Sequence, residues 1–186
     1  MAVRSHEAPL TAETFAELPD NGLKEELVSG WIVSEAVPGG AHGRVMVTLG
    51  SLLHQFVRMH LLGVVYCGNS GFVLSRSPDT VRGPDISFLR MTRVQHLDNK
   101  RGYIPGPPDL AIEIISPSDR PNDVHAKVGD YLAAGCTLAW VIDPDARQVW
   151  VFRSLLSPVI LTESDTLEGE DVLPGFSIPV RAAFEV

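Results

Sequence analysis

Between Pro107-Pro108 and Pro117 the chain runs Asp109-Leu110-Ala111-Ile112-Glu113-Ile114-Ile115-Ser116. Prolines at both ends confine any regular element to this span. A short run that is aliphatic on both faces describes a central strand covered on both sides. With a period of two, Asp109, Ala111, Glu113 and Ile115 share one face, and Leu110, Ile112 and Ile114 the other. Glu113 therefore stands in the middle of a buried strand, with aliphatic neighbours before and after it. A carboxylate in such a place must be paired, hydrogen-bonded or coordinated to a metal. Folding alone would prefer a valine there, so the charge points to chemistry.

The 186 residues, 45% hydrophobic, are expected to form one domain, 1–186, with a substantial core. No apolar run is long enough to cross a bilayer, and Met1 to Glu7 lacks a basic segment leading into an apolar one. Cys67 and Cys136 stand alone, without CxxC or ligand-like spacing, which fits small buried residues in a reducing cytoplasm. The formal net charge of −8 repels nucleic acid at long range. A nucleic-acid partner would then require a local basic rim, for which Arg76, Arg82, Arg90, Arg93, Lys100 and Arg101 are the candidates.

Along the chain, Thr11 caps a short helix to about Glu17, and Pro19-Asp20-Asn21-Gly22 turns. Lys24 to Val28 and Trp31 to Val37 flank Ser29-Gly30 as a hairpin or a helix-to-strand passage. Apolar residues at Val45, Met46, Leu49, Leu52, Leu53, Phe56 and Val57 fall at helical intervals, predicting a helix from Gly43 to His60 with His42 just before it. Strands are expected at Gly63–Cys67, Gly71–Leu74 and Pro84–Leu89, with a loop over 75–83 and an irregular flap over 90–106. After the central strand come a helix from about Asp123 to Ala134, ended by Gly135, and a strand pair, Leu138–Ile142 and Gln148–Phe152. Short strands around Pro158–Leu161 and Ile178–Val180 complete the tail. This order describes an α/β chain of the mixed α+β kind, a mixed sheet flanked by helices.

Asp85 opens one strand, Glu113 lies inside another, and Lys127 borders the apolar face made by Val124, Val128, Tyr131 and Leu132 on the following helix. Two carboxylates with a backbone carbonyl and waters make an oxygen-rich shell suited to Mg2+ or Mn2+. Such an ion polarises a phosphoryl oxygen and acidifies a water, and a lysine steadies the developing charge. Each residue also has a plainer explanation. Asp85 after a proline can cap a turn, Lys127 can snorkel to the surface, and Glu113 can be a structural partner of Lys127 without any metal. Asp109 suits backbone groups at the start of the strand. The histidines show no zinc spacing, and no GxSxG, Walker A or GxGxxG signature is present.

Pro84-Asp85 followed by Glu113-Ile114-Ile115 resembles the PD-(D/E)XK nuclease superfamily. The chain is more closely similar to the putative restriction endonuclease (Uma-two) family. The stretches that carry the likeness are Glu26-Leu27-Val28-Ser29-Gly30, Arg82 to Phe88, Pro108 to Asp119, Lys127 with Tyr131 and Gly135, Trp140-Val141-Ile142-Asp143-Pro144, and Leu173-Pro174-Gly175-Phe176. The resemblance implies a restriction-endonuclease-like fold, with a central mixed sheet between helices. It further implies Mg2+ (or Mn2+) held by Asp85, Glu113 and the Ile114 carbonyl, with Glu26 as the acidic residue of the N-terminal element. The superfamily's lysine, two residues after the glutamate, is Ile115 here. Lys127 resembles the migrated lysine of related members, and its place on the helix face points it inward.

The expectation is a Mg2+-dependent endonuclease acting on DNA, with Asp85, Glu113, Lys127 and Glu26 as catalytic residues and a homodimer supplying two sites for a duplex. A non-catalytic interaction or assembly module with a vestigial site predicts no metal affinity. A metal-free two-carboxylate hydrolase using Asp85 and Glu113, such as a glycosidase, predicts activity that survives chelation.

Overall fold

A computed structural model of the chain describes residues 2–3, 8–68, 70–97 and 102–185. In chain order the elements are β1 (Ala2–Val3), α1 (Ala12–Ala16), β2 (Glu25–Val28), β3 (Trp31–Ser34), α2 (Gly40–Met59), β4 (Gly63–Cys67), β5 (Phe72–Ser75), β6 (Thr80–Arg82) and β7 (Ile86–Arg90). They continue with α3 (Met91–Val94), β8 (Ile104–Pro105), β9 (Leu110–Ile114), α4 (Pro121–Ala133), β10 (Leu138–Asp143) and β11 (Gln148–Phe152). The tail holds β12 (Val159–Leu161), β13 (Thr166–Glu168), β14 (Ser177–Pro179) and a 3-10 turn at Val180–Ala183.

The run between the prolines is β9, and all five of its residues are buried. It lies inside a six-stranded mixed sheet of order β12-β11-β10-β9-β7-β4, parallel to β10 and antiparallel to β7. Leu110, Ile112 and Ile114 pack with Val45, Leu49, Leu53 and Val57 of α2. Ala111 on the other face joins Val124, Val128 and Tyr131 of α4. The central mixed sheet between helices is therefore present, and Glu113 points to the α4 side.

A second six-stranded sheet, β1-β3-β2-β6-β5-β8, and a ribbon of β13 and β14 stand beside it. The hairpin of β2 and β3 turns on Ser29 and Gly30, both at positive φ, 51° and 82°. Such a two-residue turn matches the twist of the flanking strands. A Cβ on Gly30 would meet Pro9 at 2.5 Å, so glycine is required there twice over.

Several boundaries differ from the sequence-based expectation. Helix α2 begins at Gly40, so His42 sits in its first turn rather than ahead of it. Strand β3 ends at Ser34, three residues short of Val37. The segment 75–83 is not all loop, because Thr80–Arg82 forms a buried strand paired with both β2 and β5. The flap at 90–106 contains α3 and β8, while its residues 98–101, with Lys100 and Arg101, lie outside the described residues. Helix α4 starts at Pro121, where a proline costs no hydrogen bond.

Ile112 is fully buried between α2 and the sheet, whereas Ile115 at the strand's end is half-buried. Ile112→Ala should destabilise the protein by about 2–5 kcal/mol and Ile115→Ala by clearly less. Urea unfolding of both variants checks this, and equal losses would refute the two-sided cover of β9.

Candidate active site

Three segments deliver the central carboxylates and their cation. Pro84 leads the chain into β7 with Asp85 immediately before it, β9 carries Glu113, and α4 carries Lys127 and, one turn on, Tyr131. All four are buried. Asp85 Oδ2 accepts from His42 Nε2 at 3.0 Å and from the Ile114 N–H at 2.8 Å, while Lys24 Nζ donates to Oδ1 at 3.1 Å. Glu113 Oε1 accepts from the Tyr131 hydroxyl at 2.6 Å, and Oε2 from Lys127 Nζ at 3.2 Å. Because Asp85 binds the backbone next to Glu113, the two carboxylates are held side by side.

The N-terminal sheet closes the cluster. Lys127 Nζ also pairs with Glu35 and stands 3.9 Å from Glu26 Oε2. Lys24 bridges Asp85 and Glu35, the latter at 2.9 Å. Glu26 accepts from Arg82 Nη1 at 2.7 Å and from the Gly83 N–H at 2.8 Å. Arg82 in turn donates from Nε and Nη2 to Asp130 Oδ2 on α4.

Electrostatics separate the two central carboxyls. Burial pushes Asp85 up, but the His42 hydrogen bond, the Lys24 charge and the Ile114 N–H outweigh it and hold the group at about 2. Burial, reinforced by the charges of Asp85 and Glu26, pushes Glu113 up to about 7 against the pull of Lys127 and Lys24. Burial also works against charge on Lys127, yet Glu113, Glu26 and Glu35 raise it above an ordinary lysine. The Tyr131 hydroxyl is pushed well up by burial and by Glu113, so it stays a donor.

Asp85, Glu113, Ile114 and Lys127 all line one small cavity of about 20 Å³, together with Lys24, Glu35, His42 and Ser116. An adjoining pocket of about 60 Å³ shares Glu113, Ile114 and Lys127. Asp85, Glu113, Ile114 and Lys127 are thus brought together as expected. Glu26 is adjacent but lines neither cavity, its two oxygens being taken by Arg82 and Gly83. Among the described residues no three His, Cys, Asp or Glu side chains converge as a ready-made ion cage. Asp109 serves the backbone, accepting from the Arg90 N–H at 2.9 Å.

Among the described residues, the arginines expected to form a basic rim are each paired with carboxylates. Arg82 is 3% exposed and locked between Glu26 and Asp130. Arg76 pairs with Glu13 and Asp79, and Arg90 and Arg93 lie against Asp109. Sequence reasoning also passed over Lys24, Glu35 and His42 as site residues. For Lys24 a signal existed: it lies two residues before Glu26, on the same face of an extended chain.

The fold is restriction-endonuclease-like. A crystal structure of a protein described as a putative nuclease belonging to DUF820, from Anabaena variabilis, superposes with a TM-score of 0.81 at 22% identity. The match covers 95% of this chain and 98% of that one. The sequence profile of the Uma2 family, described as Putative restriction endonuclease, matches residues 12–181. The chain belongs to that family. No sequence match was found among curated proteins.

A raised Glu113 makes the metal-free folded state bind a proton more tightly than the unfolded chain does. Stability should therefore fall as pH rises from the ordinary 4.5 to about 7. The loss is on the order of 3 kcal/mol. Denaturant unfolding across this interval should show the slope in wild type and a flatter one in Glu113→Gln. The depressed Asp85 acts in a separate window, its contribution being lost as pH drops from 3.8 toward about 2.

Proposed function

We propose that the protein is a divalent-metal-dependent endonuclease acting on DNA. Asp85, Glu113 and the Ile114 carbonyl would hold Mg2+ or Mn2+, Lys127 steadies the attacking water, and Glu26 keeps Lys127 in place. The observation that carries this reading is an imbalance of charge. In one connected network among the described residues, Glu26, Glu35, Asp85, Glu113 and Asp130 face only Lys24, Arg82 and Lys127 as permanent cations. Five carboxylates against three cations leave room for one divalent ion, and three of the five, Glu35, Asp85 and Glu113, line the same cavity.

The donor set fits magnesium. Mg2+ is ordinarily held by one or two carboxylates, with waters and substrate phosphates filling the rest, rather than by an all-protein cage. When bound, the ion supplies Lewis-acid polarisation of a phosphoryl oxygen. The protein's own groups do the rest. Tyr131 and Lys127 fix the two oxygens of Glu113, and His42 with the Ile114 N–H fixes Oδ2 of Asp85. Cutting both strands of a duplex needs two such centres, and we assign the second to another copy of the chain.

A non-catalytic module with a vestigial site is favoured by one observation, that the carboxylates already carry protein cations as partners. One experiment decides. A mixed DNA pool incubated with Mg2+ or Mn2+ should be cut by wild type and spared on chelation. Glu113→Ala should lower the rate by roughly 100-fold or more. Equal cutting by both proteins would remove Glu113 from the site. Absence of cutting together with no heat of Mn2+ binding would favour the vestigial module.

A further inference from the structure

The two lysines of the centre are not equivalent. Lys127 is enclosed by Glu26, Glu35 and Glu113, with its side chain 8% exposed. Lys24 enters from the turn before β2, and its carbonyl accepts the Glu35 N–H at 2.9 Å, so the base of the side chain is fixed. Its side chain is 16% exposed and borders a cavity of about 410 Å³, with Glu35, Pro38, His42, Met46 and Asp85 among the other walls. That space is far larger than the 20 Å³ recess beside it, and Lys24, His42 and Asp85 are common to both.

The two oxygens of Asp85 are also unlike. Oδ2 is filled by His42 and by the Ile114 N–H, whereas among the described residues Oδ1 has Lys24 alone. An ion held by Asp85 would take the site left on Oδ1, and its charge would repel the Lys24 ammonium from that oxygen. The displaced Lys24 keeps its second partner, Glu35 Oε2, and so remains at the rim of the larger cavity.

We propose that Lys24 is a substrate-contacting residue that guards Asp85 Oδ1 in the metal-free protein and, once displaced, donates to a non-bridging oxygen of the scissile phosphate in the adjoining cavity. This inference rests on the nuclease reading above. It divides the work between the two lysines: Lys127 serves Glu113 and the water, and Lys24 serves the phosphate. No bond to carbon, nitrogen or phosphorus is made or broken by Lys24, which exchanges one anionic oxygen for another. Metal and lysine compete for one oxygen, so removing the lysine should strengthen metal binding while weakening catalysis. A purely structural lysine would do neither of these together.

The test compares wild type, Lys24→Met and Lys24→Gln by Mn2+ calorimetry and by DNA cleavage, with circular dichroism to confirm folding. The Gln variant covers the case in which methionine fails to fold. The expected result is Mn2+ binding about tenfold tighter in the variants. Cleavage kcat should drop about 100-fold. Unchanged or weaker Mn2+ affinity, or cleavage at the wild-type rate, overturns the assignment of Lys24. If wild type binds Mn2+ but cuts no nucleic acid, the nuclease reading falls and takes the phosphate contact with it.

Discussion

Glu113 and Lys127 face each other at 3.2 Å in a region where neither would keep its charge alone. That pair obliges the surrounding elements to converge. Lys127 reaches Glu35 and Glu26 from α4, Glu26 holds Arg82, and Arg82 returns to Asp130 on the same helix. Helix α4 is thereby tied at two successive turns to the N-terminal sheet. Through Glu113 and Tyr131 it is also tied to the central one. Buried ion pairs of this kind are weak sources of net stability, because desolvation offsets most of the attraction. A well-packed apolar cluster would hold the sheets together as well. What the charges add is a fixed geometry for two carboxylates beside a cavity.

Much of this was legible in local sequence. The period of two placed Glu113 inside a buried strand, and the helical interval between Val124, Lys127 and Tyr131 turned the lysine toward it. Residue chemistry suggested Asp85 and Glu113 as one oxygen-rich shell, and resemblance to a known family added Glu26 and the Ile114 carbonyl to it. Other features were hidden for identifiable reasons. Thr80–Arg82 is a three-residue strand in the short span between Pro78 and Pro84, and only its neighbours β2 and β5 make it one. Arg82 invited the reading of a surface arginine, since charge ordinarily lies outside unless paired. Its partners Glu26 and Asp130 lie 56 and 48 residues away. Lys24 and His42 reach Asp85 across 61 and 43 residues, and period or spacing carries no information over such intervals.

The same long intervals have a consequence for when the site exists at all. Lys24, Glu26, Glu35, His42, Asp85, Glu113 and Lys127 come from β2, β3, α2, β7, β9, α4 and the turns beside them. Contacts of high sequence separation form only after the intervening chain has been ordered, because the loops must close first. A fragment that stops short of Lys127 or begins past Lys24 carries only part of the constellation. In a protein of this family that is a safeguard. The capacity proposed for this site, to attack a phosphodiester backbone, would be absent until Lys127 has joined the residues that precede it in the chain.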